Sequence, residues 1–358
     1  MRILIATIKV PFIRGGAELH AENLQKALAA HGHEVDIVAA PFRWNPPERI
    51  LDHMVTCRML DLTETVRGPV DLLIALRFPA YYIRHPNKVL WLLHQFRSAY
   101  ELWDHPQVDL GRWPNGRLVR DAIRDADRSL LPEAAKIFAN SKTVAGRLQK
   151  YCGIASVPLY HPPPLHDRIF NAKATDYVFF PSRLSPLKRQ SLVVEALAKT
   201  RSGVRVAFAG EPESAEYLEK IRNMARRLGV LKRILWLGSV SNEELVERYA
   251  KCVAVVYPPL DEDYGYVSLE AMLAAKAVIT CTDSGGPNEF VVSGQTGLVA
   301  PPDPESVAQA LDLVWVDRAQ AERMGQAGRA RYDGLNISWD RVVDELTSPA
   351  IPRGLTVS

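Results

Sequence analysis

The sequence predicts an α/β protein with two doubly wound domains, each built on a parallel sheet, that face each other across a cleft. Short runs of almost continuously apolar residues alternate with amphipathic segments, which is typical of a parallel sheet with helices on both faces. This alternation occurs twice and lapses once, in a proline-rich stretch near the middle of the chain. The length of 358 residues also favours two domains over one.

Residues 1–165 form the first predicted domain. The segment AELHAENLQKALAAHG is predicted to form a helix after the first strand, and Gly32 suits its C-terminal end. The region from Ser156 to Asp176 holds four prolines and few periodic apolar residues, so it is predicted to end this domain and link it to the next. The predicted buried strands are RILIATI, EVDIVAA, DLLIALRF, KVLWLLHQ and AAKIFANS.

Residues 166–334 form the second predicted domain, where the alternation resumes. Repeated strand–helix units imply right-handed crossovers, so the strands are predicted to run parallel. Ser241 with Glu244 forms a capping box, and Asp303 followed by a proline starts a further helix. After Pro302 the chain is predicted to be helical to its end. The predicted strands are DYVFFPS, VRVAFAG, RILWLGS, VAVVYPP, AVITCTD and TGLVA, and the helices lie near 188–200, 214–228, 242–251, 267–275 and 287–292.

The composition is that of an ordinary soluble enzyme. Hydrophobic residues make up 47% and charged residues 24%, which allows a sizeable core. No apolar stretch approaches the roughly 18 residues that span a bilayer, and MRILIATI is predicted to be a strand and not a signal peptide. The four cysteines lack metal-type spacing, so we expect reduced thiols in a cytoplasmic protein and no metal site. No nucleic-acid partner is expected.

Charge is distributed unevenly along the chain. Residues 1–165 carry 21 Lys and Arg against 16 Asp and Glu, whereas the remainder carries 23 against 25. A mildly basic first half favours contact with an anionic membrane surface or an acidic acceptor. Ordinary surface variation is an equally good interpretation. The sequence therefore leaves open whether the protein is peripheral on the cytoplasmic face of the membrane.

A glycine pair follows the first predicted strand, in KVPFIRGGAELH. At a strand-to-helix turn, the bare N–H groups of Gly15 and Gly16 and the helix N-terminus suit an anion. A tight turn that needs glycine is the alternative interpretation. No G-x-G-x-x-G fingerprint occurs here, which argues against a nicotinamide enzyme.

Two cations follow the first strand of the second predicted domain, in PSRLSPLKRQ. Arg183 and Lys188 lie five positions apart on a loop that opens a helix. Cations at the carboxyl end of a strand, beside a helix N-terminus, favour a phosphate or diphosphate. Two solvated surface charges are the alternative.

Two glutamates lie eight positions apart in DEDYGYVSLEAM. Gly265 lets the backbone turn before a helix whose first N–H groups are predicted to be free hydrogen-bond donors. Glu262 lies on the loop and Glu270 one turn inside the helix, where a buried carboxylate must be paired or hydrogen-bonded. Sugar hydroxyls suit both carboxylates; a capping acid with an internal ion pair, or a hydrolytic dyad, are alternatives. The predicted free N–H groups are those of Tyr266, Val267 and Ser268.

Other candidates also follow predicted strands. His94 ends KVLWLLHQF and is the histidine best placed to reach the cleft, although a structural histidine is the alternative. Asn288 and Glu289, after a second glycine pair, are candidate cleft residues or loop-packing residues. Three aromatic residues could stack on a sugar ring or simply pack; they are Phe96, Tyr100 and Trp103.

Taken in order, these segments resemble family 4 of the glycosyltransferases, which have two Rossmann-like domains in the GT-B arrangement. Glu262, seven residues, then Glu270 resembles the E-x7-E motif of the family. The segments GGAELHAENLQKALAAHGHEV, SRLSPLKR, GGPNEFVVSGQTGLVAPPD and ERMGQAGRARY are similar to family segments in order and spacing. The resemblance covers nearly the whole chain, from RILIATI to about Trp339. It departs from the family at Asp263, at Ala275 and Ala277, and in YHPPPL.

The resemblance implies a retaining transfer from a nucleotide-diphospho-sugar to an acceptor hydroxyl, without a metal or another cofactor. It implies that Arg183 and Lys188 hold the diphosphate, assisted by the Gly16 amide and the N–H groups after Gly265. The ribose would bind Glu270. It further implies that residues 335–358 form a helix and tail that brace the first domain.

The remaining roles that the resemblance implies concern the transferred sugar and the acceptor. Glu262 would bind sugar hydroxyls, and His94 would lie near the transferred sugar. The acceptor would be a saccharide, a lipid-linked saccharide or another hydroxyl compound, as in polysaccharide or glycolipid synthesis. Two other functions stay open: a nucleotide-sugar epimerase of the same fold, and a non-catalytic sugar-nucleotide-binding subunit.

Overall fold

The computed structural model describes residues 1–12, 15–106 and 108–349, and the chain divides into two compact units. The first unit contains residues 1–161 together with 338–349 of the described residues, and the second contains residues 162–337. The predicted boundaries, after residues 165 and 334, fall close to these divisions. The predicted tail 350–358 lies outside the described residues.

Both units contain a six-stranded parallel sheet. Their strands form where the sequence has short apolar runs, because strands covered on both faces have no solvent side. In chain order the strands are β1 (Arg2–Lys9), β2 (Glu34–Pro41), β3 (Glu64–Thr65), β4 (Gly68–Pro69), β5 (Leu72–Ala75), β6 (Lys88–Leu92), β7 (Lys136–Ala139), β8 (Val157–Pro158), β9 (Val178–Pro181), β10 (Val206–Ala209), β11 (Ile234–Gly238), β12 (Ala254–Val256), β13 (Ala277–Cys281) and β14 (Gly297–Ala300). Only β3 and β4, a short antiparallel pair, stand outside the two sheets of the described chain.

Helices connect most of these strands, and several begin at side chains that cap them. Ser241 accepts a hydrogen bond from the Glu244 amide, and Asp303 accepts one from the Ser306 amide, as the sequence predicted for both helix starts. The helices are α1 (Gly16–Ala30), α2 (Glu48–Met59), α3 (Gly116–Leu130), α4 (Lys142–Cys152), α5 (Gln190–Lys199), α6 (Ala215–Arg227), α7 (Asn242–Lys251), α8 (Tyr266–Leu273), α9 (Pro287–Phe290), α10 (Pro304–Val316), α11 (Arg318–Gly334) and α12 (Trp339–Thr347). None that the structure describes is long and apolar enough to cross a bilayer.

The sheet of the first unit has the strand order β2-β1-β5-β6-β7-β8. Successive residues of each strand face opposite sides, so the sheet carries two apolar clusters. One cluster, with Leu4, Leu73 and Leu90, is covered by α2, α3 and α4. The other, with Trp91, is covered by α1 and α12, so the C-terminal helix packs in the core of the first unit.

The sheet of the second unit has the strand order β11-β10-β9-β12-β13-β14. The chain order reverses between β9 and β12, which are neighbours in the sheet. Ligands of doubly wound sheets bind outside the carboxyl ends of the strands at such a switch point. Residues 182–189 follow β9 and residues 257–265 follow β12. The fold therefore brings the loop that carries Arg183 and Lys188 to the same edge of the sheet as Glu262.

Two sequence predictions about the first sheet are wrong in detail. EVDIVAA was predicted to be a buried strand, but β2 alternates exposed and half-buried residues because it is an edge strand with β1 as its neighbour. The segment Ser156 to Asp176 was predicted to be linker, but β8 lies within it and pairs with β7. Pro158 is tolerated there because β8 is the opposite edge strand of the sheet. On an edge strand, the N–H group that proline lacks is not needed by a neighbouring strand.

Candidate active site

The switch point of the second unit brings together a lysine, a carboxylate and a tyrosine. Lys188 Nζ forms an ion pair with Glu262 Oε2. The amine also donates to the Tyr257 hydroxyl at 3.0 Å, and that hydroxyl donates to Glu262 Oε2 at 3.1 Å. The pKa of Tyr257 is raised by burial and then by Glu262, so the phenol remains a hydrogen-bond donor. We call these three side chains the switch-point triad.

The backbone of Glu262 is held by the loop after β13. Its amide donates to the Ser284 carbonyl at 2.9 Å, and its carbonyl accepts from the Gly286 amide at 2.8 Å. Gly285 has φ +72°, and a Cβ there would lie 2.5 Å from the Glu262 carbonyl oxygen. The second glycine pair is therefore required for the close approach of two loops, so its role is to position Glu262.

Arg189 joins the loops that surround the triad, and sequence reasoning did not single it out. Its guanidinium binds both carboxylate oxygens of Asp283, at 2.8 and 2.7 Å. It also donates to the carbonyls of Pro258 and Pro259, each at 2.7 Å. One planar side chain thus ties together the loops after β9, β12 and β13. Sequence carried no signal for it, because its partners lie 69 to 94 positions away.

Asn288 belongs to this supporting structure as well. Its side-chain amide donates to the carbonyls of Cys281 and Thr282, each at 3.0 Å. These bonds hold the end of β13, which agrees with the loop-packing interpretation of this residue.

Gly265 makes the turn into α8, as predicted, with φ +88°. A Cβ on it would lie 2.8 Å from Pro287 Cγ, so both conformation and space require glycine. The prediction that the Ser268 amide is free is wrong, because it donates to the Gly265 carbonyl at 3.0 Å in a tight first turn. The Val267 amide donates to no acceptor among the described residues. Tyr266 is the first residue of the helix.

Glu270 is buried within α8, 8% exposed, and is hydrogen-bonded as its burial requires. The hydroxyl of Tyr249, on α7, donates to its Oε2 at 2.6 Å. Burial raises the pKa of Glu270 to about 7, against the opposing effect of the tyrosine. Oε1 has no hydrogen-bond partner among the described residues. Glu270 therefore retains an unused acceptor oxygen.

Arg183 follows β9 but does not join the triad. Its side chain is exposed, and its guanidinium forms no hydrogen bond or ion pair with the part of the chain that the structure describes. Its carbonyl accepts from the Gln190 side chain at 3.1 Å. The loop backbone is therefore held, while the charged end extends into solvent.

In the first unit, the predicted anion site at the glycine pair is partly filled by the protein itself. The Gly15 amide donates to Glu18 Oε2 at 2.8 Å, so the prediction of a bare N–H is wrong for Gly15. The other oxygen of Glu18 accepts from Arg77 at 3.1 Å. An acid at the third helical position reaches back to the cap, as in a capping box. No described residue accepts a hydrogen bond from the Gly16 amide.

His94 lines a cavity of about 290 Å³ in the first unit. Its Nδ1 lies 2.6 Å from the Gln95 carbonyl oxygen, which can only accept, so Nδ1 donates the proton in this hydrogen bond. A second cavity of about 710 Å³ shares Val10, Phe42 and Trp44 with it. Phe96 also lines the smaller cavity.

The other two predicted aromatic contacts pack within the protein. Tyr100 donates to Asp127 at 2.7 Å, and the Arg120 guanidinium lies 4.3 Å from the ring centre of Trp103. Among the residues described, no three His, Cys, Asp or Glu side chains are grouped as metal ligands would be.

Both units have the features of one class of ligand-binding protein. Each is a doubly wound α/β unit with polar side chains at the carboxyl ends of its strands, which is where this class binds its ligands. Two family models match the chain: "Glycosyltransferase Family 4" over residues 14–163 and "Glycosyl transferases group 1" over residues 165–331. The chain therefore belongs to family 4 of the GT-B glycosyltransferases, and the protein is a glycosyltransferase.

Curated relatives and solved structures agree with this assignment. Glycogen synthase of Mycobacterium tuberculosis is 33% identical over 398 aligned positions, which cover 96% of this chain and 92% of the relative. The alpha-1,3/1,6-mannosyltransferase ALG2 of Dictyostelium discoideum is 30% identical over 140 residues, covering 38% of this chain and 33% of the relative.

Two solved structures show the same fold. Sucrose-phosphate synthase from Thermosynechococcus elongatus has a TM-score of 0.76 at 18% identity, covering 96% of this chain and 97% of that one. Anabaena HepE in complex with UDP-glucose has a TM-score of 0.69 at 17% identity, covering 97% and 98% of the two chains.

Proposed function

We propose that the protein transfers a hexosyl group from a nucleotide-diphospho-sugar to an acceptor hydroxyl, with retention of anomeric configuration and without a metal. The observation that carries the proposal is the switch-point triad, with Glu270 on the helix that follows the same loop. One motif thus supplies a carboxylate beside a cation and a second, buried carboxylate with an unused oxygen. These groups match the parts of a nucleotide-sugar: diphosphate, sugar hydroxyls and ribose.

The diphosphate is assigned to Lys188 and Arg183. Transfer leaves a nucleoside diphosphate that carries additional negative charge, and cations placed in advance stabilise that charge as it develops. The amide of Val267 is a third donor at the same loop, at the N-terminus of an eight-residue helix. Arg183 is exposed and unengaged in the second unit, so its guanidinium is available for a phosphate.

The ribose is assigned to Glu270. An ionised carboxylate accepts hydrogen bonds from vicinal hydroxyls, and these bonds are stronger than those between neutral groups. Tyr249 occupies Oε2 only, so Oε1 can accept from a ribose hydroxyl. Burial disfavours the ionised form in the empty protein, and a bound ribose would offset that cost.

Glu262 is assigned to hydroxyls of the transferred sugar. Lys188 and Tyr257 contact one of its two oxygens, Oε2. Oε1 remains an acceptor for a sugar hydroxyl. The amine of Lys188 fixes the orientation of Glu262, which is the pre-organisation that sugar recognition needs.

The acceptor is assigned to the first unit. The cavity beside His94 has a volume close to the lower end of the range for ligand pockets, and its wall is mainly apolar with a few polar groups. His94 lines this cavity, and an imidazole ring can exchange hydrogen bonds with sugar hydroxyls. A saccharide or a lipid-linked saccharide fits these walls, and contact with the inner membrane face follows if the acceptor is a lipid.

The relatives support a hexosyl donor without specifying it. HepE was solved with UDP-glucose, ALG2 is named as a mannosyltransferase and the mycobacterial relative as a glycogen synthase. UDP-glucose is therefore the first donor to test, followed by the GDP-, ADP- and TDP-hexoses.

The test is a turnover assay with each nucleotide-sugar, in the presence of EDTA, with and without simple saccharide acceptors. We expect release of nucleoside diphosphate and a glycoside whose anomeric configuration, read from proton coupling constants, equals that of the donor sugar. Conversion of the donor into a different nucleotide-sugar in the absence of an acceptor would indicate the epimerase instead. Donor binding without turnover or hydrolysis would indicate the non-catalytic subunit.

A further inference from the structure

A cavity of about 530 Å³ in the second unit lies at the amino ends of its strands. Its wall includes Thr175, which precedes β9, Val253, which precedes β12, and Lys276, which precedes β13. The residues of the switch-point triad follow the carboxyl ends of β9 and β12, so the cavity lies at the opposite edge of the same sheet. It is therefore separate from the site that we propose for the donor.

Two basic side chains line this cavity. Lys276 is 5% exposed, and its ammonium group donates one hydrogen bond, to the Ala172 carbonyl at 2.9 Å. Arg318, at the start of α11, is half-buried and donates to the carbonyls of Trp315 at 2.8 Å and Thr175 at 3.1 Å. All three acceptors are neutral backbone groups, so none of them offsets the charge of either cation.

Neither cation is paired with an acid of the described chain. No carboxylate oxygen among the described residues lies within 4.0 Å of the Lys276 ammonium or the Arg318 guanidinium. Glu322, on the same wall, is exposed and attracts the Lys276 charge from a longer distance. Burial lowers the pKa of both Lys276 and Arg318, so the cost of burying their charges is only partly compensated.

Both side chains keep hydrogen-bond donors for a ligand and are held in position. The Lys276 ammonium has further N–H groups beyond the one on Ala172, and Nη2 of Arg318 donates to no acceptor in the described chain. The guanidinium carbon of Arg318 lies 4.3 Å from the ring centre of Trp315, which fixes its plane. The backbone amide of Lys276 donates to the Ala271 carbonyl at 2.9 Å. The two cations are thus placed before a ligand binds.

We infer that this cavity binds a small phosphate-bearing ligand, inorganic phosphate or a phosphate monoester, through Lys276 and Arg318. A phosphate dianion supplies the opposite charge that both cations lack, and its oxygens accept hydrogen bonds from several donors at once. A carboxylate has less charge and fewer acceptor positions, so it suits the pair less well. The cavity has room for a small organic group beside the phosphate.

The test is calorimetric titration of inorganic phosphate and of glycerol 3-phosphate into the wild type and its variants, at constant ionic strength. We expect Lys276→Met and Arg318→Met each to bind these anions about tenfold or more weakly, because each loses hydrogen bonds from a charged donor. Lys199→Met is the control, because Lys199 is an exposed cation paired with Glu305. Equal affinity for the two probes would identify inorganic phosphate as the ligand, whereas tighter binding of the ester would identify a monoester.

Glu322→Gln is expected to change the affinity in the opposite direction. It removes a negative charge from the cavity wall, so we expect it to bind phosphate about two- to fivefold more tightly than the wild type. If Lys276 and Arg318 had only a structural role, this increase would not occur. The variant replaces an exposed side chain, so it keeps the inference testable even if Lys276→Met fails to fold.

The switch-point triad is a second place where a phosphate can bind, and Lys188→Met separates the two sites. We expect this variant to bind glycerol 3-phosphate with the affinity of the wild type. Loss of binding in Lys188→Met but not in Lys276→Met or Arg318→Met would overturn the inference, as would equal affinity for acetate or no binding to the wild type. Failure of the proposed sugar transfer would leave these results unchanged, so the two failures are distinguishable.

Discussion

The hydroxyl of Tyr249 donates a hydrogen bond of 2.6 Å to Oε2 of Glu270, between helices α7 and α8. Both side chains are buried, and burial also raises the pKa of Tyr249, so the phenol stays protonated. The tyrosine satisfies one oxygen of the carboxylate and leaves the other for a ligand. Ionisation of Glu270 is thus energetically unfavourable in the protein without ligand. In the complex that we propose, the ionised form accepts hydrogen bonds from the ribose.

The first prediction concerns stability. Burial raises the pKa of Glu270 in the folded protein to about 7, above the ordinary glutamate value of 4.5, so the folded state binds this proton more tightly than the unfolded state. Its contribution to stability is therefore fully present below pH 4.5 and is lost as the pH rises through 7. Glu270→Gln cannot ionise and keeps an oxygen for Tyr249. We expect it to be more stable than the wild type at pH 8.5 by up to about 3 kcal/mol, and nearly equal at pH 4.5.

Urea unfolding of both proteins at the two pH values measures this difference. Glu247→Gln is the control, because Glu247 is an exposed residue paired with Lys251. A Glu270→Gln protein that is less stable than the wild type at both pH values would contradict the assigned cost of ionisation.

The second prediction concerns the pH dependence of donor binding. Below about pH 7 the carboxyl group of Glu270 is mostly protonated in the empty protein, so a ribose must bind a neutral acid in place of a carboxylate. We expect the affinity for the nucleotide-sugar to fall as the pH is lowered from 8 to 6. Glu270→Gln should bind weakly with a nearly flat profile over that range. If the affinity of the wild type and of Glu270→Gln changed equally with pH, a group other than Glu270 would be responsible for the pH dependence.

The third prediction concerns the amine of the switch-point triad. Lys188→Met removes the charge and keeps most of the length, so the departing diphosphate loses a cation. We expect kcat to fall about 100-fold or more, with a smaller change in donor affinity. Lys199→Met is the control, because Lys199 forms an exposed pair with Glu305 elsewhere in the second unit. Equal kinetics for both variants would remove Lys188 from the mechanism.

The fourth prediction uses two glycines with similar backbone conformations. Gly285 has φ +72° and Gly294 has φ +78°, so alanine is strained at both by about 1–2 kcal/mol. Only at Gly285 does the added Cβ meet the backbone of Glu262, whereas nothing lies within 4 Å at Gly294. We expect Gly294→Ala to lose stability only, and Gly285→Ala to lose more stability and most of its transfer rate. Equal activity of the two folded variants would show that the Glu262 loop tolerates displacement.

Much of the fold could be predicted from the sequence, because strands buried on both faces read as apolar runs and helices show their caps. RILIATI became β1, and Asp303 caps α10 as predicted. The edge strands were less predictable. β2 is half exposed and β8 has two residues, so neither has the strong apolar pattern of an inner strand.

The candidate site was predictable only as far as its motif extends along the chain. Glu262, Glu270 and Gly265 stand together in sequence, whereas Tyr249 and Arg189 reach the site from other elements. Hydrogen bonds between distant segments leave no local pattern. The amides of Gly15 and Ser268 were predicted to be free, but nearby acceptors, Glu18 and the Gly265 carbonyl, engage them.

The central claim is that Glu270 binds the nucleotide half of the donor. Calorimetric titration of UDP, GDP, ADP and TDP into the wild type, Glu270→Ala and Glu247→Ala tests it most directly. We predict that one nucleotide binds the wild type and Glu247→Ala alike, and binds Glu270→Ala at least about tenfold more weakly, as loss of a hydrogen bond to a charged group requires. Binding of that nucleotide to Glu270→Ala with wild-type affinity would contradict the account.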